Sequence, residues 1–211
     1  MVTTFSDTGS TRLARAVPRL FCLVSGADQL GLLPALALAG VDGFQVREKG
    51  GSTRDLVGLT RHVIGAVRPH GAAVVVNDRL DVALAVGADG VHLGQDDLPV
   101  AAAHAMAPNL LVGATCRDRG DCRKAVAEGA SYAGFGPLFA TTSKDGLPDP
   151  LGPQALTGAA GLLPLIGIGG VDAAGAKEAR DAGAHGVAVI GAIWRQPDPL
   201  SAAEELVRAV A

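Results

Sequence analysis

Gly87-Ala88-Asp89-Gly90-Val91-His92-Leu93 compresses a helix stop, a tight turn and a short apolar strand into one stretch. Gly87 follows the amphipathic run Leu80–Val86, where glycine is the expected C-terminal stop. The residues after it are too few for anything but a turn, and Gly90–Leu93 then reads as a buried strand. The same grammar recurs at Ala39-Gly40-Val41-Asp42-Gly43, Gly129-Ala130-Ser131 and Gly183-Ala184-His185-Gly186, each just ahead of an apolar run. Recurrence at roughly 20–50 residues indicates a repeated βα unit.

Working outward, the strands expected are Leu20–Ser25, Gly43–Arg47, Ala73–Asn77, Gly90–Leu93, Leu110–Ala114, Tyr132–Gly136, Leu165–Ile168 and Gly186–Ile190. Helical spacing predicts helices over Leu56–Val67, Leu80–Val86, Arg123–Glu128, Ala173–Ala182 and Ala202–Val210. Eight strands alternating with helices imply parallel pairing, and that count is the count of an α/β (β/α)8 TIM barrel. A doubly wound open sheet is the competing fold. However, Gly167-Ile168-Gly169-Gly170 is not a G-x-G-x-x-G fingerprint and falls at the seventh strand rather than the first. A single barrel domain over 19–211 is expected, preceded by a flexible arm, Met1–Pro18, rich in Ser, Thr and Arg.

The composition agrees with this. Of 211 residues 48% are hydrophobic and only 3% aromatic, which suits a core of small and branched side chains between parallel strands. The net charge of −3 argues against a nucleic-acid surface, and no apolar run approaches the ~18 residues that span a bilayer. Cys22, Cys116 and Cys122 are too few and odd in number for a disulfide framework, so a reducing, cytoplasmic setting is expected. Whether copies of the chain assemble into a homo-oligomer is left open.

The polar residues are placed unevenly. Nearly every unusual one falls at the carboxyl end of an expected strand or just after it, the end at which barrels of this kind build their active sites. Gln45, Arg47 and Lys49 follow the second strand at alternate positions; two cations and an amide facing one mouth make an anion site, against the plainer reading of surface pairing with Glu48 or Asp55. Asn77-Asp78 and Asp96-Asp97 follow the third and fourth strands. Singly, such residues read as helix caps; together, beside an anion site, they suit Mg²⁺. Thr115 ends the fifth strand, Thr141-Thr142-Ser143-Lys144 follow the sixth, and Gly169-Gly170 and Gly191 follow the last two, where backbone N–H groups can approach a phosphate. His92 reads as a buried, hydrogen-bonded histidine and Cys116 as a small hydrophobe.

Gln45-Val46-Arg47-Glu48-Lys49, Val76-Asn77-Asp78-Arg79, Gly87 through Asp97, Gly134-Phe135-Gly136-Pro137 with Thr141 through Lys144, and Ile168-Gly169-Gly170 together resemble the thiamine phosphate synthase family. The resemblance runs from about Leu20 to Ile193. It implies an enzyme that joins a hydroxymethylpyrimidine diphosphate to a thiazole phosphate, releasing pyrophosphate. It implies that Gln45, Arg47, Lys49, Asn77 and Lys144 hold the pyrimidine diphosphate. Asp78 and Asp97 would hold Mg²⁺, and Thr115 would contact the pyrimidine. Thr141, Thr142, Ser143, Gly170, Ile190 and Gly191 would hold the thiazole phosphate, with Lys144, Arg47 and Thr115 nearest the chemistry. Arg117 stands where the family usually carries a His, and Gly191 where a Ser is common. A thiazole phosphate tautomerase and a non-catalytic thiazole phosphate-binding regulator are the alternatives, and the retained carboxylate pair argues against both.

Overall fold

The computed structural model of the chain describes residues 16–141 and 148–211. Its strands are β1 (Leu20–Val24), β2 (Gly43–Val46), β3 (Ala73–Asn77), β4 (Gly90–Leu93), β5 (Leu111–Cys116), β6 (Tyr132–Phe135), β7 (Leu165–Ile168) and β8 (Gly186–Val189). They pair in chain order, all parallel, and β8 returns to β1, so the sheet is a closed barrel. Every strand lies within two residues of its expected limits. The helices are α1 (Leu33–Leu38), α2 (Thr53–Val67), α3 (Leu80–Val86), α4 (Val100–Met106), α5 (Arg119–Ala127), α6 (Ala173–Asp181), α7 (Gly191–Trp194) and α8 (Pro199–Val210). Between β6 and β7 the described residues carry a 3₁₀ segment, Pro153–Gly158, in place of an α-helix.

The recurring turn has a structural purpose at each position. Its first glycine holds positive φ at Gly40, Gly87, Gly129 and Gly183, ending the preceding helix in the left-handed region that side chains resist. Its third position ties the floor of the barrel. Asp42 accepts from the backbone N–H of Arg19 and Leu20, at 2.9 and 2.8 Å for the closest oxygens. Asp89 accepts from Val74 N at 2.9 Å and pairs with Arg68 at 3.2 Å. Ser131 Oγ accepts from Val112 N, and His185 Nε2 bonds Val17 O at 2.9 Å. Strand starts are thereby pinned at the end away from the polar loops, the end of a barrel that serves stability. Val17 and Pro18, expected in the arm, pack on this floor: Val17 joins the barrel-interior cluster and a Cβ on Gly43 would sit 2.7 Å from Pro18.

Alternation along the strands separates two cores. Leu20, Cys22, Val24, Phe44, Val46, Val74 and Val76 face outward against the helices. Phe21, Leu23, Val75, Leu111, Tyr132, Ile166 and Ala188 fill the barrel itself. Phe21 and Tyr132 stack there with ring centroids 5.4 Å apart. Small residues beside them, notably Gly113, make room for the two rings that project inward from β4 and β6.

Candidate active site

The strand ends open onto one cavity of about 950 Å³, within the size range of small-molecule sites. It is lined by Gln45, Arg47 and Lys49 from β2 and its loop, Asn77 and Asp78 from β3, Asp97 after β4, and Thr115 from β5. Thr141 after β6, Gly170 after β7, and Ile190 and Gly191 after β8 complete it. All the site residues expected from sequence that fall among the described residues therefore meet in one space. Thr142, Ser143 and Lys144 lie outside the described residues.

Local structure places each group. β2 ends at Val46, so the strict alternation expected through Lys49 stops there, and Arg47 and Lys49 approach from the loop. Arg47 N still donates to Val24 O at 2.8 Å, anchoring that loop to β1. Surface pairing with the neighbouring acids does not describe this segment: Glu48 accepts from Gly26 N at 2.8 Å, and Asp55 forms a capping box with Ser52.

Helix capping does not describe the acids either. The N-cap of α3 is Arg79 and that of α4 is Pro99, neither with a side-chain cap. Asp78 instead sits at φ 64°, a rare conformation for a residue with a Cβ, with its N–H bonded to His92 O at 2.8 Å. Asp97 Oδ2 accepts from Gly94 N at 2.7 Å. The two carboxyls thereby converge and share a hydrogen bond. Burial first, then that bond and the negative charge of Asp97, raise the Asp78 pKa from 3.8 to about 6, against the pull of Lys49 and Arg47. Two carboxyls held this close at a cavity wall favour a positive charge beside them.

A stability consequence follows from that raised pKa. The unfolded chain gives up the Asp78 proton near 3.8 and the folded chain near 6. Ionising it therefore weakens the fold progressively between those pH values, and the penalty is complete above the upper one. Asp78→Asn removes the penalty and keeps a residue type that tolerates positive φ. Because solvent reaches the pair, the expected gain is only about 1 kcal/mol. Thermal denaturation from pH 4 to pH 7 is expected to show the variant's advantage growing with pH up to about 6 and then levelling.

The opposite wall is built from two interlocked loops. Leu138 N and Phe139 N donate to Ile168 O and Gly169 O at 2.8 and 2.9 Å, laying the segment after β6 along the end of β7. Gly169 and Gly170 both hold positive φ, and a Cβ on Gly170 would collide with Ala140 O. Trp194 Nε1 donates to Leu23 O at 2.7 Å and holds α7, with Gly191 at its start, against β1.

Several cavity residues were not anticipated. His92 has one ring edge on the cavity and hydrogen-bonds Thr115 Oγ1 through Nε2 at 3.1 Å. Burial pushes its imidazole down to about 4, with Asp97 opposing. Arg195 stacks its side chain 3.2 Å from where a Cβ on Gly191 would lie, bringing a cation to the glycine end of the site. It lies in the turn after α7, where sequence periodicity carries no signal. Arg117, noted only as a departure, also lines the cavity and donates to Asp149 O at 3.1 Å.

The family model described as thiamine monophosphate synthase matches residues 20–193. A thiamine biosynthesis bifunctional protein of Symbiobacterium thermophilum is 46% identical over 191 residues, covering 89% of this chain and 40% of that protein. A thiamine-phosphate synthase of Chlorobium phaeovibrioides is 48% identical over 168 residues, covering 78% of this chain and 80% of its own. Among solved structures, a thiamine phosphate pyrophosphorylase from Pyrococcus furiosus superposes with a TM-score of 0.82 at 31% identity, over 91% of this chain and 95% of that one.

Proposed function

The chain belongs to the thiamine monophosphate synthase family, and on that premise we propose that it condenses 4-amino-2-methyl-5-hydroxymethylpyrimidine diphosphate with 4-methyl-5-(2-hydroxyethyl)thiazole phosphate, giving thiamine monophosphate and pyrophosphate. The observation that carries this reading is the Asp78–Asp97 carboxyl pair beside Arg47 and Lys49 on the wall of a cavity roomy enough for two small substrates.

Each residue then has a task. Arg47 and Lys49, with Lys144, neutralise the diphosphate and the charge that grows on it as the C–O bond breaks. Gln45, Asn77 and Thr115 hold the pyrimidine, whose ring stabilises the methylene cation left behind. Thr141, Thr142 and Ser143 hold the thiazole phosphate together with the backbone of Gly170, Ile190 and Gly191, so that the thiazole nitrogen faces that cation. No protein nucleophile takes part; the chain orients the partners and keeps water from the cation.

Asp78 and Asp97 suit Mg²⁺. Among the described residues no cluster of three or more His, Cys, Asp or Glu forms, and Mg²⁺ does not need one, since it takes one or two carboxylates and completes its shell with phosphate oxygens and water. Bound there, Mg²⁺ supplies charge neutralisation to the departing pyrophosphate.

The test is a pyrophosphate-release assay with both substrates and Mg²⁺. Release is expected only when both substrates are present and is expected to stop on chelation. Release from neither mixture, or at the same rate without the thiazole phosphate, overturns the reading. Substrates of this kind are small anions, and among the described residues no helix is long and apolar enough to cross a membrane.

A further inference from the structure

Beneath the cavity floor two polar atoms are buried with no hydrogen bond of good geometry: His92 Nδ1, and Tyr132 Oη, which has the Gln45 amide beside it. A buried donor or acceptor left unpaired costs roughly 1–3 kcal/mol, so two at one place call for an explanation. Their positions supply one. A Cβ built on Gly113 would lie 2.5 Å from each, so the two atoms are no more than 5.0 Å apart, twice that reach. The rings stand 5.6 Å apart between centroids, tilted by 30°. Only the bare Cα of Gly113 lets them face each other; any side chain there would fill the gap. The far edge of the same imidazole, Nε2, is the atom bonded to Thr115 Oγ1 at 3.1 Å. Thr115 is the exposed residue of β5 and opens onto the cavity.

We propose that Tyr132, His92 and Thr115 form a hydrogen-bond relay through the barrel, closed over Gly113, that fixes the Thr115 hydroxyl as a donor to a ring nitrogen of the bound pyrimidine. The sense of the relay follows from donor chemistry. The Gln45 amide lies beside the phenol and can donate to its oxygen, leaving the phenol O–H to donate toward His92 Nδ1, directly or through one water. Either route gives the same polarity. An imidazole accepting at Nδ1 carries its proton on Nε2, donates to Thr115 Oγ1, and so turns the threonine's own hydrogen toward the cavity. A threonine that instead donated to Nε2 would offer the cavity only lone pairs. Tyr132 and His92 are then positioning residues, acting on the substrate through Thr115. This deepens the proposed function and rests on its assignment of Thr115 to the pyrimidine.

The relay is tested in the ligand-free protein by ¹⁵N imidazole NMR, with the His92 resonances identified by their loss in His92→Gln. A pyridine-type Nδ1 and a pyrrole-type Nε2 are expected, and Tyr132→Phe, which removes one oxygen and little volume from the core, is expected to erode that tautomer. The opposite tautomer, or ring resonances indifferent to Tyr132→Phe, overturns the relay. In steady-state kinetics Tyr132→Phe is expected to raise KM for the pyrimidine diphosphate about three- to tenfold, the effect of one hydrogen bond, with KM for the thiazole phosphate unchanged. His92→Gln, whose amide can still donate toward Thr115, is expected to keep more pyrimidine affinity than His92→Leu. The expected tautomer with unmoved pyrimidine KM overturns the link from relay to substrate. A parent protein that turns over neither substrate defeats the functional reading alone, because the tautomer result does not depend on it.

Discussion

Asp97→Asn is expected to lower turnover by about a hundred- to a thousandfold while leaving the fold intact. The fold survives because Asp97 makes its backbone bond through one oxygen, from Gly94 N, which an asparagine oxygen can also accept. What the variant lacks is charge. The pair it breaks adds to burial in raising the Asp78 pKa, and with one carboxyl neutral the cavity wall no longer offers two negative groups beside Arg47 and Lys49. Removing one preorganised electrostatic partner of a developing charge typically costs a factor of this size. Asp78→Asn is expected to lose as much. The double variant is expected to lose little more than either alone, since residues that act as a unit are not additive. Pyrophosphate release at saturating substrate measures all three. Undiminished turnover in them would place the chemistry elsewhere on the molecule. Asp78→Asn would also be the more stable protein above pH 6, so stability and activity are expected to move in opposite directions at that position.

Gly186→Ala is expected to be the most damaging single methyl group among the barrel-floor glycines. Gly186 opens β8, and a Cβ there would be driven into the backbone carbonyl of Arg19, at the seam where β8 meets β1. A flexible side chain could swing aside; a main-chain oxygen in the closing strand pair cannot. Relief requires β8 to shift against β1, which costs about 3 kcal/mol by the usual scale of overpacking. For a chain of this length that lowers Tm by roughly 6–12 °C. Gly58→Ala is the matched control. Gly58 is an exposed position inside α2 with nothing within 4 Å of a built Cβ, so the same methyl is expected to raise stability by roughly 0.5–1 kcal/mol through helix propensity. Thermal unfolding followed by circular dichroism compares the two. Equal effects would mean that seam packing does not limit this barrel. The seam also matters for the site, because β8 leads directly into Ile190 and Gly191.

The strands were legible because their signals are local. Glycine at a helix stop, a short apolar run and a polar strand end all lie within a few residues of one another, so Gly87 through Leu93 could be read without knowing what packs against it. Two of the short helices were not legible. α1 has six residues and α4 seven, and neither has a side-chain cap; α3, no longer than α4, was read to its limits because its apolar spacing runs straight into the Gly87 stop. The site was legible as a set of positions, since a parallel barrel brings all strand ends to one mouth whatever their separation in sequence.

What those positions do to each other was decided by the fold alone. Asn77-Asp78 and Asp96-Asp97 look like caps in sequence, and only the closed sheet turns Asp78 and Asp97 toward one another. Gly170 looks like an ordinary turn until Ala140 O is found lying against it. His92 is read as a buried, hydrogen-bonded histidine and Tyr132 as a strand residue, yet the gap that Gly113 leaves between them is a through-space fact about three different strands. The sequence alone determined where the chain turns, which faces are apolar and which residues reach the mouth, because periodicity and backbone preference act over a few residues. Tertiary structure decided the convergence of Asp78 and Asp97, the interlocked loops and the buried polar pair. Those depend on distances between atoms that the chain brings together only when β8 closes on β1.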